Sequence, residues 1–76
     1  MKLLNKYLIS QKMTNSEIKQ RILLLLGEKP MHTKDIVIAV QQVSNNNGFT
    51  IRNSIRELMD RGIIDLTLDM KLAKNK

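Results

Sequence analysis

The 76-residue sequence contains no cysteine, one proline, three glycines and two aromatic residues, Tyr7 and Phe49. Without cysteine the chain has no disulfide bond, no thiolate nucleophile and no cysteine-ligated zinc site. Two aromatic rings are too few for a surface that binds single-stranded nucleic acid by stacking several bases. These absences favour a small domain that binds a partner over an enzyme.

Residue types that usually carry catalysis are equally scarce. His32 is the only histidine, so no second histidine or cysteine can complete a metal site with it, and we expect it in an exposed turn. None of the serines lies in the G-x-S-x-G setting of a hydrolase nucleophile, and the glycines are too far apart for a phosphate-binding loop. We therefore predict no enzyme activity, no metal, no cofactor and no small-molecule substrate.

Long apolar segments are also missing. The longest apolar run covers residues 22–26, whereas a helix that spans a bilayer needs about 20 apolar residues. Lys6 interrupts the stretch near the start where a secretory signal peptide is continuously apolar. We expect a cytoplasmic protein that does not insert into a membrane.

Basic residues outnumber acidic ones. Thirteen Lys and Arg against seven Asp and Glu give a net charge of +6. Such a balance favours a polyanionic partner, which can be nucleic acid, an anionic lipid surface or an acidic protein. The same balance is also typical of a well-solvated surface with no such partner.

The first of three helices is predicted by a capping box and an apolar face. Thr14 and Glu17 are spaced so that each side chain can bond the other residue's backbone amide. Gly27 is predicted to end the helix in a left-handed conformation, ahead of Pro30. The apolar face consists of Ile18, Ile22, Leu25 and Leu26, widened by Leu23 and Leu24.

The second helix is predicted to start at Thr33 as N-cap, with Asp35 in its first turn. Its β-branched residues favour a strand, but its apolar residues repeat with a period of 3.6, which favours a helix. The apolar stripe consists of Ile36, Val40 and Val43. A turn over residues 44–48 follows, and Phe49 is predicted to plug the core.

The third helix is predicted to start at Thr50 as N-cap and to end at Gly62. Its core stripe consists of Ile51, Ile55, Leu58 and Met59. Asn53, Arg56, Glu57 and Asp60 point away from that stripe, with Arg52 on the flank.

Residues 63–74 alternate with a period of 2, which predicts a half-buried strand or hairpin that reverses at Asp69-Met70. The apolar residues of this alternation are Ile64, Leu66, Leu68, Met70 and Leu72. The predicted fold class is mainly α with a small β-hairpin.

Residues 1–13 form a separate segment with three lysines and no acid. Leucines and a tyrosine at i,i+4 spacing indicate an amphipathic helix there. Two roles remain open: an extra helix or frayed end on the domain's own core, or a contact between the two copies of a dimer. The domain proper is predicted to cover residues 14–76.

The order of helix, helix, turn, helix and hairpin resembles the winged helix-turn-helix superfamily of DNA-binding transcriptional regulators. The likeness is most specific over residues 50–64, where a capping threonine, spaced apolar residues, a glycine and two aliphatic residues follow one another as in a recognition helix that leads into a wing. It extends back to about Thr14. The resemblance implies a three-helix winged domain whose third helix enters the major groove of DNA.

The resemblance also implies a set of DNA-binding residues. Arginine forks at positions 52 and 56 suit guanine, and the amide at position 53 suits adenine. The helix start and the basic residues of the hairpin and tail would meet backbone phosphates. The implied residues are Thr50, Arg52, Asn53, Arg56, Lys71 and Lys74, with Lys76 in the tail.

Each of these assignments has a competing interpretation. The two arginines can be solvated helix charges, with Arg56 paired to Asp60 on the same face. Lys71 and Lys74 can be edge-strand lysines that block aggregation. Glu57, like Asp60, repels DNA unless it is turned away or accepts from a cytosine amine.

The function predicted from the sequence is sequence-specific binding of double-stranded DNA by a small transcriptional regulator. A homodimer is expected, because a single recognition helix rarely supplies enough specificity. The alternative is a winged-helix module that binds other proteins and not DNA. A weaker third possibility is loose attachment to anionic lipid through residues 1–13.

Overall fold

The computed structural model describes residues 12–75 as three helices followed by an antiparallel hairpin. Helices α1 (Asn15–Glu28), α2 (Thr33–Gln41) and α3 (Gly48–Asp60) precede strands β1 (Ile64–Leu66) and β2 (Leu72–Lys74). This mainly helical layout with a small hairpin is the predicted one. The roles suggested for the segment over residues 1–13 fall almost entirely outside the described residues, as does Lys76.

Helix α1 starts as predicted and ends differently. The Thr14 hydroxyl accepts from the Glu17 amide at 3.1 Å, and the Glu17 carboxylate accepts from the Thr14 amide at 2.7 Å. The prediction that Gly27 stops the helix is wrong, because the helix continues through it to Glu28. Lys29 is extended, with φ −167° and ψ 156°. The ring of Pro30 excludes helical backbone at the residue before it, and this ends α1.

Helix α2 confirms that the 3.6-residue period outweighs β-branched composition. Its start is shifted by one residue, because His32 occupies the N-cap position and Thr33 is already helical. Val43 was predicted to belong to the buried stripe, and this is wrong. The helix ends at Gln41, so Val43 lies in the following turn and is exposed.

Helix α3 starts earlier than predicted. The side-chain oxygen of Asn47 accepts from the Thr50 amide at 2.8 Å, which makes Asn47 the N-cap and Gly48 the first helical residue. The prediction that Thr50 caps the helix is therefore wrong. Gly62 follows the helix with φ 72°, as its predicted stop requires, because this left-handed backbone favours glycine.

The core lies where the three helices meet the base of the hairpin. It consists of Ile18, Ile22, Leu26, Ile36, Val37, Val40, Ile51, Ile55, Leu58, Ile64 and Leu72. Besides Val43, three apolar residues predicted for the core are exposed: Phe49 by 73%, Leu24 by 67% and Met59 by 38%. The predicted apolar faces of α1 and α3 are therefore too wide at Leu24 and Met59, whereas Phe49 lies on the opposite side of α3 from its buried residues.

The hairpin is short. Leu66 pairs with Leu72 across it, and Met31 adds an isolated bridge by exchanging two backbone hydrogen bonds with Leu72 at 2.7 and 3.0 Å. The Thr67 carbonyl accepts from the Met70 amide at 3.0 Å, and Met70 is left-handed with φ 64°. The chain thus reverses through a three-residue loop, residues 68–70, which contains the predicted reversal at Asp69-Met70 and begins one residue before it.

The far end of the hairpin is exposed and apolar. Of the five apolar residues that alternate along it, only Ile64 and Leu72 are buried, because the strands pair for three residues each. We call the remaining exposed residues the hairpin tip, and they are Leu66, Leu68 and Met70.

A side chain ties the start of α1 to the loop before α3. Asn46 is buried, its oxygen accepts from the Met13 amide at 2.8 Å, and its nitrogen donates to the Met13 carbonyl at 3.1 Å. The amide thus satisfies both backbone groups of Met13 as a neighbouring strand would. Asn46, the residue before the N-cap of α3, therefore holds the backbone at Met13 against the loop that precedes that helix.

Candidate nucleic-acid interface

Helix α3 has one buried and one exposed side. The buried side consists of Ile51, Ser54, Ile55 and Leu58. At about 100° per residue, the opposite side carries Phe49, Arg52, Asn53, Arg56 and Asp60. All of these are exposed except Asn53, which is half-buried. The structure therefore places three of the predicted base-contacting residues on one accessible helix face.

The arginines of this face keep their charges available. Within residues 12–75 the ion pair that forms is Lys19–Glu57, and the suggested pair between Arg56 and Asp60 does not form. The Arg52 side chain leans toward the start of α3, with Nη1 3.5 Å from where a Cβ on Gly48 would lie. Both guanidinium groups are thus accessible to an external anion.

Glu57 is turned away from this face. Its carboxylate binds the Lys19 ammonium on α1. The hydrogen bond from Lys19 and the charge of the same ammonium hold the pKa of Glu57 below its ordinary value, and the Arg61 charge adds a smaller lowering. One of the two acids that would repel DNA is therefore matched by a positive charge from α1. The other, Asp60, lies eleven residues beyond Phe49, which is about 16 Å along the helix axis.

Thr50 lies inside the first turn of α3 and does not cap the helix. Its amide is occupied by the Asn47 side chain, and its carbonyl accepts from the Ser54 hydroxyl at 3.3 Å. The amides of Gly48 and Phe49 precede it in the first turn, where no intrahelical acceptor exists. An anion that approaches the start of α3 therefore meets those two amides and not that of Thr50.

The two predicted hairpin lysines are not brought together. Lys71 lines a cleft of about 370 Å³ whose other walls come from residues 29–32 and Asp35. Lys74 lines a separate groove of about 330 Å³ with Gln20, Leu23 and Leu24 of α1. The predicted site thus divides into a coherent group on α3 and two lysines in different clefts.

Phe49 is the residue of this surface that sequence reasoning missed. It was predicted to plug the core from a loop, but it lies in the first turn of α3, about 180° around the helix from the buried Leu58. A helical projection that starts at Gly48 would have revealed this. The exposed face of α3 therefore contains a large apolar ring among its arginines.

Other kinds of site receive no support from the described part of the chain. In residues 12–75 no group of three or more His, Asp or Glu side chains is arranged to hold a metal ion. None of the helices over that range is both long and apolar enough to cross a membrane. Comparison with protein-family models, with curated proteins and with solved structures found no match to this chain. No relative therefore supplies a function by analogy.

Proposed function

We propose that this protein is a winged helix-turn-helix protein that binds double-stranded DNA in a sequence-specific manner, as a small transcriptional regulator with α3 in the major groove. One observation carries the proposal: Arg52 and Arg56 project from the accessible side of α3 while Glu57 is held by Lys19. A helix fits the major groove, where base edges display a distinct pattern of donors and acceptors. The net charge of +6 attracts the phosphate backbone from a distance.

The polar and basic residues that the proposal invokes each have a chemical role. Arg52 and Arg56 pair with guanine edges or adjacent phosphates, and the Asn53 amide pairs with adenine. Lys71 and Lys74 contact phosphates on either side of the hairpin base. Phosphate contacts set the position of the protein, and the contacts from α3 supply the sequence preference.

The proposed regulator acts as a homodimer in the cytoplasm. Two copies that bind half-sites about one helical turn apart, roughly 34 Å, double the number of base contacts. No small molecule or chemical step takes part, since occupancy of the DNA site is itself the regulatory event.

The hairpin tip favours a second candidate function, a protein-interaction module. Leu66, Leu68 and Met70 are exposed there, with Asp69 between the last two in the loop. An apolar tip suits a protein partner better than a DNA phosphate backbone.

The two candidates are separated by measuring DNA affinity as a function of salt. Fluorescence anisotropy on a mixed-sequence duplex should show affinity falling about tenfold or more between roughly 50 and 200 mM salt. Arg52→Ala/Arg56→Ala should bind more weakly, and the salt slope should fall by about 1 for each phosphate that the variant no longer neutralises. Circular dichroism checks that this variant keeps its helices.

Arg21→Ala is the matched control. Arg21 is exposed on α1, about 160° around that helix from Lys19, so the substitution removes an arginine charge far from α3. Parental affinity in the double variant, or an equal loss from Arg21→Ala, would show that α3 is not the DNA-binding helix. The absence of salt-dependent binding to any duplex would leave the protein-interaction function.

A further inference from the structure

Phe49 lies in the first turn of α3, on the midline of the accessible face of that helix. The ring is 73% exposed and the sequence holds no other phenylalanine. Arg52, Asn53 and Arg56 follow at i+3, i+4 and i+7, so one apolar side chain is surrounded by cationic and polar ones on the same face. An ordinary solvated helix surface carries polar side chains at such a position. A largely exposed phenylalanine on the polar side of α3 therefore suggests that a binding partner covers it.

We propose that Phe49 contacts the C5-methyl group of a thymine in the major groove, so that the preferred DNA site has a T·A pair opposite the first turn of α3. This inference rests on the proposed function. The thymine methyl is the apolar group that base pairs of unmodified DNA present in the major groove. Residues near the start of a recognition helix are those that reach base edges. The contact with the methyl group then favours T·A at that position, while Arg52 and Arg56 pair with guanine edges or phosphates elsewhere in the site.

The charges around Phe49 favour DNA over a second copy of the chain. A two-fold contact centred on Phe49 would bring Arg52 and Arg56 of both copies together, and like charges in close contact oppose association. A polyanion is attracted by the same arginines. Within the described residues Phe49 is also the only aromatic side chain, so this face has no second ring with which to clamp an unpaired base.

The test uses DNA in which only the methyl group is changed. Duplexes are first selected by the full-length protein from a random pool, and each thymine of the selected site is then replaced by deoxyuridine. This removes the methyl group and keeps every hydrogen-bonding group. At one thymine the parental protein should lose about fourfold in affinity, the value for one buried methyl-sized group. Phe49→Ala should bind the selected site more weakly and show no loss at that uridine.

Two variants serve as controls. Leu24→Ala removes another exposed apolar side chain, 67% exposed, from α1, and it should keep the parental response to uridine. Phe49→Leu keeps an apolar group and should retain part of that response.

The outcomes separate this inference from the proposed function. Selected duplexes whose affinity is unchanged by every uridine, or a Phe49→Ala protein as sensitive as the parent, would overturn the thymine contact and leave DNA binding through the arginines intact. Failure to select any duplex would overturn both proposals. A Phe49→Ala protein that loses its dimeric mass in light scattering, with the response to uridine unchanged, would overturn the thymine contact and assign Phe49 to a contact between copies.

Discussion

The Lys19 ammonium of α1 binds the Glu57 carboxylate of α3, so the one ion pair found in residues 12–75 joins the first helix to the helix proposed to enter DNA. Both groups are partly exposed, and the stabilisation from such a pair is small in water. Its main effect is on charge distribution. The Lys19 ammonium balances the negative charge of Glu57. Arg52 and Arg56 then contribute most of the charge on the exposed face of α3.

Lys19→Met is expected to raise the pKa of Glu57 toward its ordinary value near 4.5, because both the hydrogen bond and the ammonium charge are lost. A carbon-detected NMR titration of the Glu57 carboxyl measures this directly. In the parent, the folded-state pKa lies below the unfolded value, so the pair stabilises the fold above about pH 4.5 and loses its effect as the pH falls through the lowered pKa.

Arg61→Met is the control for that titration. Arg61 acts on Glu57 through its charge alone and contributes less than Lys19. Its removal should raise the pKa of Glu57 by a smaller amount. An equal or larger rise would mean that the pairing with Lys19 does not govern the carboxylate in solution.

Asn47→Ala is expected to lower the free energy of unfolding by about 1 kcal/mol, because the Thr50 amide loses its capping acceptor. Thr50→Ala should change the stability by less than about 0.5 kcal/mol, since alanine is the better helix former and the cap lies elsewhere. Urea unfolding of both variants measures the difference. A larger loss from Thr50→Ala would place the cap at Thr50, where the sequence pattern predicted it.

Met70→Gly is expected to stabilise the protein by about 0.5 kcal/mol. The left-handed backbone at φ 64° costs a side-chain-bearing residue about 1–2 kcal/mol, and the greater entropy of glycine in the unfolded chain offsets part of that gain. The melting temperature should rise by about 2–4 °C, as measured by differential scanning calorimetry.

Leu68→Gly tests whether the effect at Met70 comes from the backbone. Leu68 is fully exposed and has no left-handed backbone, so glycine there adds only unfolded-state entropy. It should destabilise the protein by about 0.5–1 kcal/mol. If both substitutions destabilise the protein, the backbone of Met70 is not left-handed in solution.

The sequence predicted the number and order of the elements because each helix carries its own apolar period. Ile18, Ile22, Ile51 and Ile55 are buried at the spacing that defined α1 and α3. Local chemistry was also sufficient at the Thr14 capping box. The same locality explains why the outward direction of Arg52 and Arg56 could be predicted, since it follows from the position of the buried stripe.

The start of α3 could not be predicted because several neighbouring residues are able to cap a helix. The loop before the helix offers four of them in a row, Ser44 to Asn47, and Thr50 follows. In the structure Asn46 is bonded to Met13, 33 residues away in sequence, and Asn47 caps the helix. Phe49 was misplaced for the same reason. A helix that begins at Gly48 turns the ring outward, whereas a loop at that position could have turned it inward.

The link between Met13 and Asn46 joins two parts of the fold that lie far apart in sequence. Asn46 adjoins Asn47, the residue that caps α3, so the backbone just before α1 is bonded one residue away from that cap. A substitution at Asn46 would therefore disturb the entry to α1 and the start of α3 together.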